Sequence, residues 1–190
     1  MKVDDFKILF IHGYTASSQH DFYPPLSREL DILHVDYVIP NLPGDKSPHA
    51  EEWLTILHEA IKNNTKPLAV VGHSLGTRAA LLLIERYSIQ VEYLFLIAAF
   101  ANRVENAIRK GGNAYPDFFV HKINIFNVNS CINKAYVLHS EDDQSIMFEQ
   151  GKEIAADLKA ELIPSHDRDH FSEPINAPYI LEVLRQKIGF

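Results

Sequence analysis

Four short stretches of this 190-residue chain carry residue types that can do chemistry together. Gly72-His73-Ser74-Leu75-Gly76 frames a serine with glycines two positions to either side. His139-Ser140-Glu141-Asp142-Asp143-Gln144 supplies adjacent carboxylates, and His166-Asp167-Arg168-Asp169-His170-Phe171 supplies two imidazoles. His12-Gly13-Tyr14 lies near the start of the chain. A serine hydroxyl is a weak nucleophile near neutral pH, so it needs an imidazole to take its proton and a carboxylate to orient that imidazole. Serine, acid and histidine follow one another here in the order expected when each sits on its own strand-end loop of a parallel sheet.

The elements that must position these groups are visible as short apolar runs alternating with helix-period stretches. The runs are 7–11, 35–39, 68–72, 93–98, 135–139 and 161–164, and the helical stretches are 24–30, 49–62, 75–87, 145–159 and 178–188. Continuous rather than alternating apolar strands, separated by helices, predict a mostly parallel sheet of about six strands covered on both faces. The fold class is therefore α/β, a three-layer α/β/α sandwich. Ligands of such sheets bind beyond the carboxyl ends of the strands, which is where all four stretches fall.

The serine stretch has a specific reason to look as it does. Where a strand turns sharply into a helix, the turning residue is held in a strained conformation and neighbours two positions away would collide. Gly72 and Gly76 remove those collisions, the Ser74 hydroxyl is pushed out at the top of the sheet, and the first amides of the helix starting near Leu75 favour negative charge. That charge suits the oxyanion of an acyl-transfer intermediate. A second oxyanion donor is expected from the loop after the first strand, which makes the backbone N–H of Tyr14 the partner of that of Leu75, with Gly13 permitting close approach. His12 and His73 read as packing or hydrogen-bonding residues beside the site.

For the acid and the base the residues leave neighbours open. Asp142 or Asp143 can orient the ring, the other being a loop charge or a cap for the helix near Ser145. His166 or His170 can be the base. The i, i+4 spacing of those two histidines, with aspartates between, also admits a metal site, but the stretch lacks helical propensity and the H-E-x-x-H order, so no metal is expected.

These features resemble the small α/β-hydrolase-fold serine hydrolases of the YdeN and retinoblastoma-binding protein nine family. The resemblance is carried by Ser74 in GHSLG, the twin aspartate, His-Phe after the last strand, and NLPGDKSPHAEEW (41–53) with its tryptophan helix. It implies Asp143 as the acid and His170 as the base. Gln144 stands where that family usually has proline, and Asp169 where it usually has glycine. The resemblance covers most of the chain and is weakest over 100–133.

Composition bounds the rest. With 46% hydrophobic residues the chain supports one well-buried core and is short for two domains, so 1–190 reads as a single domain. A net charge of −7, with no basic run beyond Arg109-Lys110, lacks the footprint of a nucleic-acid binder. The apolar run at 8–11 is too short for a signal peptide core or a membrane span, and the lone Cys131 permits no internal disulfide, which together suggest a soluble cytoplasmic protein. The stretch 100–133, with Tyr115, Pro116, Phe118, Phe119, Ile123 and Phe126, reads as a covering helix plus surface loop, or else a small cap walling an acyl pocket. The expected activity is hydrolysis of small esters or activated amides through a Ser-His-Asp triad, without a cofactor. The partner is then a small-molecule acyl substrate, and oligomeric state is not readable. Two rivals stand beside it: a non-catalytic interaction module on the same scaffold, and a thioesterase or acyltransferase with the same triad.

Overall fold

A computed structural model describes residues 6–100 and 117–190. Six strands form one sheet: β1 (Lys7–Ile11), β2 (Asp36–Val38), β3 (Leu68–His73), β4 (Val91–Ile97), β5 (Ile132–Ser140) and β6 (Glu161–Ser165). Every pairing is parallel and the spatial order is β2-β1-β3-β4-β5-β6. The chain runs outward from β1 to β2, then crosses back to place β3 on the other side of β1. The direction of winding therefore reverses between β1 and β3, and a crevice opens there beyond the strand ends. Ile11 pairs with Gly72 at that point, which brings His12-Gly13 beside His73-Ser74.

Helices α1 (Tyr23–Ile32), α2 (Ala50–Ile61), α3 (Leu75–Tyr87), α4 (Asp117–Val120), α5 (Ile125–Asn129), α6 (Phe148–Leu158) and α7 (Ala177–Leu184) divide between two faces. Leu9, Val70, Leu94 and Val137 point to one side with Trp53, Leu57, Ala79, Leu83 and Ile154, so α2, α3 and α6 cover that face. Ile8, Phe10, Val71, Phe95 and Leu138 alternate to the other, against Tyr23, Leu26 and Ile180 of α1 and α7. Alternation of buried residues to both sides is what a doubly covered parallel sheet requires, and it makes the three-layer α/β/α sandwich.

Differences from the sequence reading are local. The helix expected from Ser145 begins at Phe148, because the N–H groups of Ser145 and Ile146 both bond to the Asp143 carboxylate. Within 100–133, α4 and α5 are short helices, the latter capped by the Asn124 side chain. Phe118 and Ile123 are buried in the core while Phe126 is 81% exposed; Tyr115, Pro116 and the Arg109-Lys110 pair lie outside the described residues. Arg78 of α3 is fully buried beneath this segment and donates to the carbonyls of Phe118 (2.8 Å) and His121 (2.6 Å). Burial pulls its guanidinium down to about 10, which still leaves it charged at neutral pH. Among the described residues, no helix is long and apolar enough to cross a membrane.

Candidate active site

Ser74 sits between β3 and α3 with φ 53° and ψ −122°, a conformation an L-residue adopts only under constraint. Its N–H donates to Ile97 O (2.9 Å), and its carbonyl accepts from the N–H (2.9 Å) and hydroxyl (2.6 Å) of Thr77. A β-carbon at 72 would lie 2.6 Å from Gly76 O, the collision expected of a tight strand-to-helix turn. The glycine at 76 answers a different crowding: a β-carbon there would lie 2.1 Å from Ile11 O, so it clears β1 rather than β3. Leu75 is the first residue of α3, and its N–H is among those that an α-helix leaves without an intrahelical acceptor.

The β1 loop approaches from the opposite wall. A β-carbon on Gly13 would stand 3.0 Å from Ser74 Cβ, so a larger residue would crowd the serine. Tyr14 donates its hydroxyl to Lys46 O (3.0 Å). His12 is buried against the edge of Trp53. Its Nδ1 donates to Gly13 O (2.9 Å) and its Nε2 accepts from Leu42 N–H (3.0 Å), which fixes a neutral tautomer and holds the loop.

Of the two histidines in the last loop, one meets the serine. His170 Nε2 lies 2.8 Å from Ser74 Oγ, and its Nδ1 lies 2.9 Å from Asp143 Oδ2. With Nδ1–H donating to the carboxylate, Nε2 is left to accept the serine proton. His166 is 71% exposed and lies 3.6 Å from Glu141 instead. Of the two aspartates, Asp143 is buried. Its Oδ1 accepts from the N–H of Ser145 (2.7 Å) and Ile146 (2.8 Å) while its Oδ2 faces His170, so loop capping and ring contact fall to separate oxygens of one residue. Burial alone would raise its pKa. The hydrogen bond and charge of His170, with the two backbone N–H groups, outweigh burial and hold the carboxyl below its ordinary range.

Asp142 faces the other way. It accepts from the Ser140 hydroxyl and from Asp169 N–H (3.3 Å), while Ser140 Oγ accepts from Arg168 N–H (3.3 Å). Gln144 N–H in turn donates to the Asp169 carboxylate (3.3 Å). The two positions that depart from the family pattern thus touch one another: a proline at 144 has no N–H to give, and a glycine at 169 has no carboxylate to receive it.

Some of the surroundings escaped the sequence reading. His139 is fully buried, donates through Nε2 to Ile146 O (2.9 Å) and stands 3.6 Å from Asp143 Oδ2. Gly151 of α6 packs close against its side chain, where a β-carbon would be 2.2 Å from Nδ1; a glycine inside a helical pattern is the signal that marks such an approach. Asp21, near the start of α1, stands 3.7 Å from His73 Nδ1, and burial raises its carboxyl. Among the described residues, no group of three or more His, Cys, Asp or Glu side chains is placed to hold a metal ion. A cavity of about 440 Å³ between α2, α3 and α4, lined by Leu54, Leu82, Glu85 and His121, lies elsewhere and includes none of Ser74, Asp143 or His170.

The model of the family described as serine hydrolase matches residues 8–176, a span that takes in the serine, both aspartates and His170. The chain belongs to the serine hydrolase family. It is similar to YdeN of Bacillus subtilis (strain 168), named as a candidate hydrolase, with 29% identity over 186 residues that cover 94% of each chain. The crystal structure of the ydeN gene product superposes with a TM-score of 0.82 at 24% identity, covering 97% of this chain and 99% of that one. More distant structures share the fold. Est1E from Butyrivibrio proteoclasticus, with ferulic acid bound, has a TM-score of 0.73 at 13% identity, covering 99% and 91% of the two chains. The mouse α/β hydrolase domain-containing protein 10 has 0.70 at 15%, covering 96% and 89%.

Proposed function

We propose that this serine hydrolase cleaves small esters or activated amides through an acyl-enzyme on Ser74. The observation that carries the proposal is the continuous chain from Ser74 Oγ to His170 Nε2 (2.8 Å) and from His170 Nδ1 to Asp143 Oδ2 (2.9 Å). In this mechanism His170 takes the serine proton as Oγ attacks the acyl carbon, then gives it to the leaving group as the carbon–oxygen or carbon–nitrogen bond breaks. Asp143 keeps the imidazole in the tautomer with Nε2 free and stabilises the imidazolium. Water, deprotonated by His170, attacks the acyl-enzyme and returns Ser74. The backbone N–H groups of Leu75 and Tyr14 are assigned to the oxyanion, since the α3 N-terminus and the Gly13 approach flank Ser74.

A panel of p-nitrophenyl esters, acyl thioesters and aminoacyl esters, run beside Ser74→Ala, tests this reading. Turnover of short esters that vanishes in the variant is expected; equal turnover in both proteins contradicts it. A higher kcat/KM for thioesters than for matched esters moves the assignment to a thioesterase.

A further inference from the structure

We propose that His73 is a positioning residue for the base: its Nε2–H holds the main-chain carbonyl of His170 and so fixes where the imidazole meets Ser74. This rests on reading Ser74, His170 and Asp143 as the triad. His73 Nε2 lies 2.8 Å from His170 O, and the two rings are 5.2 Å apart. A carbonyl only accepts, so Nε2 carries the proton and Nδ1 is a bare lone pair, facing Asp21 at 3.7 Å without a hydrogen-bond partner among the described residues. The ring is 2% exposed and packs edge-on to Phe22. The charged and titratable groups about it are Asp21, His170, Asp143 and His12, and burial first, then His170, pulls it down to about 3, so the ring stays neutral.

Two features separate this from ordinary core packing. The rest of β3 up to Val71 is apolar, and burying an imidazole with one nitrogen unpaired is costly where a leucine would carry no such cost. Among the described residues, the one side-chain hydrogen bond of His73 goes to the main chain of the base. Moreover, the loop it reaches is strained: Asp167, Asp169 and Phe171 have φ of 57°, 45° and 60°, and such a backbone persists only where its surroundings hold it. His73 and Ser74 are consecutive, so one peptide unit sets both separations of His170, carbonyl to ring and imidazole to hydroxyl, each 2.8 Å. Displacement of a catalytic group by about 1 Å costs on the order of a hundredfold in rate.

Glutamine and asparagine separate the two ring nitrogens. A Gln side-chain nitrogen reaches as far as His Nε2, while that of Asn reaches only as far as Nδ1. In assays on p-nitrophenyl acetate, His73→Gln is expected to keep kcat within about threefold, and His73→Asn to lower it about 10- to 100-fold with KM within about twofold. Equal kcat in both variants and the wild type, with Ser74→Ala inactive, overturns the role of His73 and leaves the triad standing; turnover that survives Ser74→Ala removes the triad instead. The unaltered protein offers a second reading should the Asn variant unfold. In nitrogen-15 spectra of histidine-labelled protein, His73 is expected as the neutral Nε2–H tautomer between about pH 5 and pH 8, and an Nδ1–H tautomer or a charged ring contradicts the proposal.

Discussion

Two backbone segments in this molecule hold chemistry in strained conformations, and they do so by different means. The turn carrying Ser74 (φ 53°) is held by main-chain bonds to β4 and α3 and by two glycines whose missing side chains let three backbones close together. The loop carrying His170 has positive φ at three residues that include an aromatic, and is held largely by side chains reaching in from elsewhere: Asp142 and Ser140 from the β5 end and His73 from the β3 end. Steric strain of the first kind is written into residue types that only a tight turn explains. Strain of the second kind depends on contacts between residues about 25 to 100 positions apart in the chain, which no local pattern announces.

The glycine-held turn is most vulnerable at Gly76. Gly76→Ala drives a β-carbon into the Ile11 carbonyl, and neither backbone can move away without separating α3 from β1. Little folded protein is expected, a loss beyond about 4 kcal/mol, as read by denaturant melts; a native-like midpoint would show that the close approach is not real. Next come the twin aspartates. Asp143→Asn is expected to lower kcat about 10³- to 10⁴-fold, whereas Asp142→Asn, which loosens the loop but leaves the Asp143–His170 contact intact, lowers it about tenfold or less. The reverse ranking would put the acid at 142.

Stability against pH bears on the side-chain-held loop, because the buried His73 is one of the residues that hold it. His73 has a folded pKa of about 3 against an ordinary 6.5, so between those values the unfolded chain binds a proton that the folded chain refuses. Stability therefore falls as pH drops through 6.5, by on the order of 1 kcal/mol per pH unit. Burial lowers His12 and His139 as well, which steepens the slope, while Asp21, raised by burial, opposes it above the usual carboxylate range. Asp143 acts lower still: its depressed pKa gives stability above the ordinary carboxylate value that is lost as pH falls through the folded one. Chemical melts across the acid range check this, and His73→Gln should flatten the upper part of the curve. The smallest effect is expected from Asp169→Gly. It relieves a φ of 45° but releases Gln144 N–H, so stability should change by less than about 1 kcal/mol while kcat falls a few-fold.

How far the sequence reveals this molecule follows the same division. β1, β3 and α3 lie within a residue of the sequence reading, since each is bounded by a residue whose backbone need is local: His12-Gly13 after β1, and the turn itself between β3 and α3. The start of α6 was not legible, because Asp143 diverts the two N–H groups that would have opened the helix. Choosing between neighbours was equally out of reach of spacing. Whether His166 or His170 faces Ser74 depends on the kinks at 167, 169 and 171, and whether Asp142 or Asp143 points inward depends on which one the Ser140 hydroxyl takes. The roles of His139 and Asp21 belong to contacts with Gly151 and His73 that only the folded chain creates.

In the proposed mechanism Ser74 is the nucleophile and His170 activates it. Labelling with a fluorophosphonate, followed by mapping of the modified peptide by mass spectrometry, tests it most directly. A single adduct is expected on the peptide containing Ser74, none in Ser74→Ala, and labelling slowed by about a thousandfold or more in His170→Ala. An adduct on another residue, or undiminished labelling in either variant, would contradict it.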